Sequence, residues 1–73
     1  MDTEYMRRKT VLVIKKDRQY LSRVEMLTRC VIWSPHLADA WSTREIGKAR
    51  FLSEKFDAQI MMFNPIVWEV RTL

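Results

Sequence analysis

Glycine is nearly missing from this 73-residue chain: it has one Gly, two Pro, one Cys and one His. Each shortage excludes something. A phosphate-cradling loop or a dinucleotide turn needs clustered glycines, and a single one cannot supply them. One cysteine, Cys30, forms no internal disulfide, which fits a reducing compartment. Cys30 and His36 together are too few ligands for a structural zinc site. Scarce Gly and Pro also argue against a flexible linker or a disordered tail. Long hydrophobic runs are missing too. Residues 11–14 and 60–63 are the longest, far short of the ~20 that span a bilayer. The start, Met1-Asp2-Thr3-Glu4, is acidic and has no apolar h-region, so no secretory leader is expected. The expectation is one small, soluble, intracellular domain over residues 1–73, with residues 1–9 as a frayed polar lead-in.

What is present is apolar bulk and a moderate positive charge. The hydrophobic fraction is 48%, with three Trp, three Phe and two Tyr. That is enough to build a core, although a chain this short gains from dimerising, which makes a second copy a candidate partner. Thirteen basic residues against nine acidic give a net charge of +4. Acidic partners are favoured: nucleic acid, anionic lipid or an acidic protein patch. Arg7-Arg8-Lys9 is too short to be a nucleic-acid arm.

Residues 10–15, Thr-Val-Leu-Val-Ile-Lys, read as a strand because β-branched residues dominate. Lys16-Asp17-Arg18-Gln19 reads as a turn. With no Gly or Asn in it, a longer type I connection is expected rather than a two-residue one. A second strand runs from Tyr20 to Trp33. Its Val24, Met26, Cys30 and Ile32 share the buried parity, and Arg23, Glu25 and Arg29 share the wet one. Leu27 breaks the alternation, which suggests a bulge. Pro35 ends the strand, and Leu37, Ala40 and Trp41 tuck the following loop onto the core.

Ser42-Thr43-Arg44-Glu45 fits a capping box, with Ser42 as N-cap and Glu45 three residues on. A helix is expected over 43–56, its apolar stripe formed by Ile46, Ala49, Leu52 and Phe56. Gly47 inside it costs about 1 kcal/mol relative to alanine, and a close approach by another backbone would explain it. Residues 58–63 and 67–71 read as two more strands around an Asn64-Pro65 turn. The order β-β-α-β-β predicts an α+β fold: an antiparallel sheet of about four strands with one helix on one face.

Catalytic groups are scarce. Cys30, His36 and Asp39 are the only set from which a nucleophile and base could be assembled. Cys30 lies on the apolar parity, so a buried inert thiol is the plainer reading. Glu45, Glu54 and Asp57 are better explained by capping and surface charge. No catalytic residue, metal or cofactor is expected.

Two surfaces are candidates for binding. Arg44, Lys48, Phe51 and Lys55 recur at i, i+4, i+7 and i+11, which places an aromatic ring among three cations opposite the core stripe. Such a face can contact a protein or hold phosphate and stack a base, and a solvated face with a stray Phe is the plain alternative. The rival is the wet sheet face, where Lys15, Arg23, Arg29 and Arg71 can cluster. Cations on a sheet suit single-stranded nucleic acid. Glu25 and Glu69 are interleaved there, so cross-strand ion pairs explain that face more simply. Trp33, Trp41 and Trp68 are expected in the core or at its rim.

Residues 11–21, with their Lys16-Asp17-Arg18-Gln19-Tyr20-Leu21 turn, resemble the opening of small β-β-α-β-β proteins common in phages and prophages. Trp41-Ser42-Thr43-Arg44-Glu45, Lys48-Ala49-Arg50 and Phe63-Asn64-Pro65 resemble their helix start and later turn. The likeness extends over most of the chain from residue 10 onward and carries over no functional residues. It implies a mobile-element accessory protein in the host cytoplasm. Many such proteins act by binding, some of them as inhibitors of host defence complexes, including CRISPR effectors. The leading expectation is therefore a non-enzymatic, anti-CRISPR-type inhibitor or adaptor of a host protein or ribonucleoprotein complex. The alternative is a nucleic-acid-binding module that uses the basic helix face.

Overall fold

A computed structural model describes residues 9–25 and 27–73. The lead-in at residues 1–8 and the expected buried position of Met26 lie outside the described residues. Strand β1 (Val11–Lys16) turns into β2 (Gln19–Glu25), and β3 (Cys30–Ser34) follows. A 3-10 turn at Leu37–Asp39 leads to a two-residue strand, β4 (Ser42–Thr43). Helix α1 (Ile46–Phe56) comes next, then β5 (Gln59–Asn64) and β6 (Glu69–Thr72). The fold is α+β with one helix and one antiparallel sheet, ordered β3-β2-β1-β5-β6, and β4 is a further partner of β1. The sheet is therefore richer than the expected four strands.

The extra strands have two sources. The long second strand divides: β2 and β3 pair with each other as a hairpin, from Tyr20↔Ser34 to Glu25↔Cys30. Its turn contains no glycine, and Arg29 adopts a left-handed φ of 56° instead. The alternation read from Val24 to Ile32 thus ran across a turn. Val24 and Val31 pack toward the helix, whereas Cys30 and Ile32 are exposed, so Cys30 is not the buried thiol expected. The second source is Ser42-Thr43, which pairs with Val13 and Leu12 of β1. Strand pairing takes the backbone that a capping box would have used. The helix starts at Ile46 with Glu45 as its N-cap and without a side-chain cap. The Thr43 hydroxyl accepts instead from the Glu45 N–H, at 3.1 Å.

The centre of the sheet is covered on both faces. Ile14 and Leu21 pack under Ala49 and Leu52 of the helix, with Trp33, Trp41 and Phe56 around them. On the opposite face Val13, Met61 and Phe63 are covered by Leu37 and Ala40 of the 3-10 region. That loop is tied down by the Ser34 hydroxyl, which donates to Asp39 Oδ2 at 2.9 Å and accepts from the His36 N–H at 3.2 Å. Asp57 ends the helix at a left-handed φ of 51°, and the Ala58 N–H returns to the Ser53 carbonyl. Lys16 Nζ donates to the Phe56 carbonyl at 2.8 Å, a cation where the helix dipole is negative.

Two core expectations are corrected. Ile46, in the first helical turn, stays 41% exposed because the buried stripe is only Ala49 and Leu52 wide. Trp68 is 58% exposed and sits edge-on to Phe63, 5.0 Å between ring centroids. The first hairpin also differs from expectation. Only Asp17 and Arg18 link the paired Lys16 and Gln19, with Asp17 at a φ of 56°.

Candidate partner-binding groove

The site begins with a split in the sheet. β2 pairs with β1 only at Gln19 and Tyr20. Between Leu21 and Arg23 the β2–β3 register shifts, as in a β-bulge, which bends the strand. β4 fills part of the space that opens beside β1, and the Trp41 N–H donates to the Leu21 carbonyl at 2.8 Å. Beyond that bond the β2–β3 hairpin leaves the sheet as an arm. Among the described residues, no strand lies along the inner edge of β2 from residue 22 to 25.

A groove of about 400 Å³ lies between this arm and the helix. Val24 comes from the arm, Trp41 from the connection, and Gly47, Lys48, Phe51 and Leu52 from the helix. Phe51 is 55% exposed, so a large apolar side chain stands in water at the edge of an apolar depression. Among the described residues, no backbone closely approaches Gly47. A Cβ placed on it would meet nothing within 4 Å, and the glycine simply leaves the groove wall open.

The four residues of the proposed stripe are not equivalent. Lys48 and Phe51 line the groove. Lys55 Nζ lies 5.8 Å from the Phe51 centroid and the same distance from that of Phe56. It belongs to a second concavity, of about 480 Å³, with Lys16, Gln19, Trp33 and Phe56. Arg44 lies in the bend before the helix, so the helical spacing that put it on the stripe does not apply. Lys48 Nζ pairs with Glu45 Oε2 at 2.9 Å, with both side chains about two-thirds exposed. Such a pair is worth only a few tenths of a kcal/mol, so a partner carboxylate can replace Glu45 at little cost.

The rival basic cluster does not assemble. Arg71 pairs across to Met62, which pairs with Leu12, and so faces the helix side of the sheet. Lys15 faces the other side with Tyr20, its Nζ 5.8 Å from the ring centroid. Arg23 shares that side but pairs with Glu25, and Arg71 pairs with Glu69 at 2.6 Å. Arg29 sits in the turn at the tip of the arm. The ion pairs expected as the simpler explanation are present, each within one strand rather than across strands.

The groove residues missing from the expected binding surfaces are Val24, Trp41, Gly47 and Leu52. Gly47 carried a signal: a lone glycine inside the expected helix, which the structure places in the first turn, where no turn geometry requires it. Among the described residues, no three His, Cys, Asp or Glu side chains are grouped to hold a metal ion. Nor is any described helix long and apolar enough to cross a membrane. No protein-family model, curated protein or solved structure matches the chain.

Proposed function

We propose that the chain is a non-enzymatic binding protein that docks a protein partner in the groove beside Phe51. The observation that carries this reading is a half-exposed Phe51 at the rim of an apolar groove whose cation, Lys48, is only weakly paired. Apolar anchors flanked by charge are what partner surfaces present, because burial supplies affinity and charge supplies orientation. The net charge of +4 favours an acidic partner surface. In this reading the protein is an inhibitor or adaptor of the phage accessory kind, acting on a host protein or ribonucleoprotein complex in the cytoplasm. The phage origin rests on resemblance alone, and the docking surface rests on geometry.

The test replaces Phe51 by the photo-crosslinker p-benzoylphenylalanine and, separately, Leu27, which is fully exposed at the far end of the arm. Position 51 should crosslink a discrete protein in host lysate, position 27 should not, and Lys48→Glu should weaken the adduct. Equal labelling from both positions would end the docking reading.

A second reading, nucleic-acid binding, draws on Lys55 beside the Phe51 ring. It predicts affinity for DNA or RNA that falls steeply between about 50 and 200 mM salt. No binding at low salt would remove it.

A further inference from the structure

Val24 belongs both to the groove wall and to the stretch of β2 whose inner edge no described strand pairs. Together they specify more than either does alone. An exposed strand edge presents unpaired N–H and C=O groups, which another extended backbone can satisfy. Alternate side chains of such a strand point to opposite sides, so every second one would drop toward the helix. On that side lie Val24, Trp41, Gly47, Phe51 and Leu52, with Lys48 at the rim.

We propose that the groove takes an extended peptide, which pairs as an added strand with β2 over residues 22–25, buries one apolar side chain against Trp41 and Phe51, and places a neighbouring carboxylate on Lys48. This rests on the docking reading above and names the partner class: a short acidic-apolar segment in β conformation. The geometry limits its length. The Trp41 N–H already holds the Leu21 carbonyl, so pairing cannot extend toward the first hairpin. A helical ligand is disfavoured, because it would leave the β2 edge unsatisfied beneath it. Gly47 acquires a reason: any side chain there would occupy the anchor's place, although the fold itself has room for one.

The test uses a displayed library of random decapeptides, panned on the full chain. Enriched peptides should share an apolar residue with Asp or Glu close to it. The best of them, titrated into labelled protein, should shift the amides of residues 22–24 together with those of Lys48 and Phe51, and should slow amide exchange in the 22–24 segment. N-methylation of that peptide at alternate residues should be tolerated in one phase and should cost about tenfold or more in affinity in the other, because only one set of N–H groups faces β2. Gly47→Leu should abolish binding while the far-ultraviolet circular dichroism is unchanged.

Three results would overturn strand addition. One is a peptide that binds equally well in both methylated phases, with shifts confined to the helix. That result leaves the docking reading standing, since the groove is still filled. A second is exchange protection, in the protein alone, of those amides in residues 22–25 that point away from β3, showing the edge already covered by its own chain or a second copy. The third is a library that yields no specific peptide. In that case the crosslinking at position 51 decides separately whether the groove docks a protein in some other way.

Discussion

The paired centre of the sheet and the β2–β3 arm are built from similar residues but end in opposite states. In the centre, β1 and β5 are paired from Val11↔Phe63 to Lys15↔Gln59, and Val13 and Ile14 are completely buried on opposite faces. In the arm, Ile32 is 50% exposed and Leu27 is fully exposed. On one face Ala49 and Leu52 of the helix pack on Ile14 and Leu21, with Val24 and Val31 of the arm at the edge of that cluster, and on the other Leu37 and Ala40 cover Val13, Met61 and Phe63. Apolar composition alone does not decide burial. The face decides as well: beyond the bulge at Leu21–Arg23 the helix-side Val24 and Val31 stay half-buried, whereas Ile32 on the other face is half exposed. Stability is therefore concentrated in the centre, and unsatisfied surface remains where the sheet divides.

The largest expected effect tests that contrast directly. Ile14→Ala removes a side chain that is fully buried beneath the helix and should cost about 3–4 kcal/mol. In a domain of this size that is a large share of total stability, and urea denaturation should show a much lower midpoint. Ile32→Ala on the arm should cost less than about 1 kcal/mol, since half of that side chain is already in water. Comparable losses at the two positions would mean that something covers the arm in solution.

The scarcity of glycine explains why some of this could be read in the sequence and some could not. The helix and its Ala49–Leu52 stripe declared themselves by periodicity, and the β1 strand by its β-branched residues. Turns declare themselves mainly through Gly and Asn, and here the left-handed positions are held by Asp17, Arg29, Asp57 and Trp68. The turn before β3 was hidden for that reason, and the alternation ran straight through it. The helix start was hidden by a competition between two uses of one segment. Ser42-Thr43 has the chemistry of a cap and the location of a strand, and pairing with β1 won. The split that opens the groove depends on a register shift, for which the sequence offered only an irregularity at Leu27, in the wrong place. Lys48 and Phe51 were legible because their spacing lies wholly within the helix. Arg44 was misplaced because its spacing was counted across the helix boundary.

Two substitutions of intermediate size exchange glycine between the places where it is absent and the place where it is present. Arg29→Gly relieves a left-handed residue at the arm's turn and should stabilise by up to about 1 kcal/mol. Gly47→Ala should stabilise by a smaller amount, about 0.5 kcal/mol, through helix propensity in the first turn, since nothing obstructs the new methyl group. Thermal melts should show both variants rising by a few degrees. Their binding should diverge. Arg29→Gly leaves the groove untouched, whereas Gly47→Ala begins to fill it. Equal binding by both would show that Gly47 does not form the wall of the site.

The smallest expected change in stability accompanies the largest expected change in function. Phe51→Ala removes a ring that is more than half exposed and makes a cation–π contact with Lys55, worth about 0.5 kcal/mol at such a site. Lys48→Glu removes a solvent-exposed ion pair and sets a second carboxylate beside Glu45, a penalty of a few tenths of a kcal/mol. Denaturation of the double variant should therefore lie within about 1 kcal/mol of the parent. Binding should be lost, because the anchor's apolar neighbour and the carboxylate's cation go together. A double variant that unfolds much more easily would place Phe51 in the core and merge the two regions into one. A double variant that folds and still binds would leave the arm exposed for some reason other than recognition in this groove.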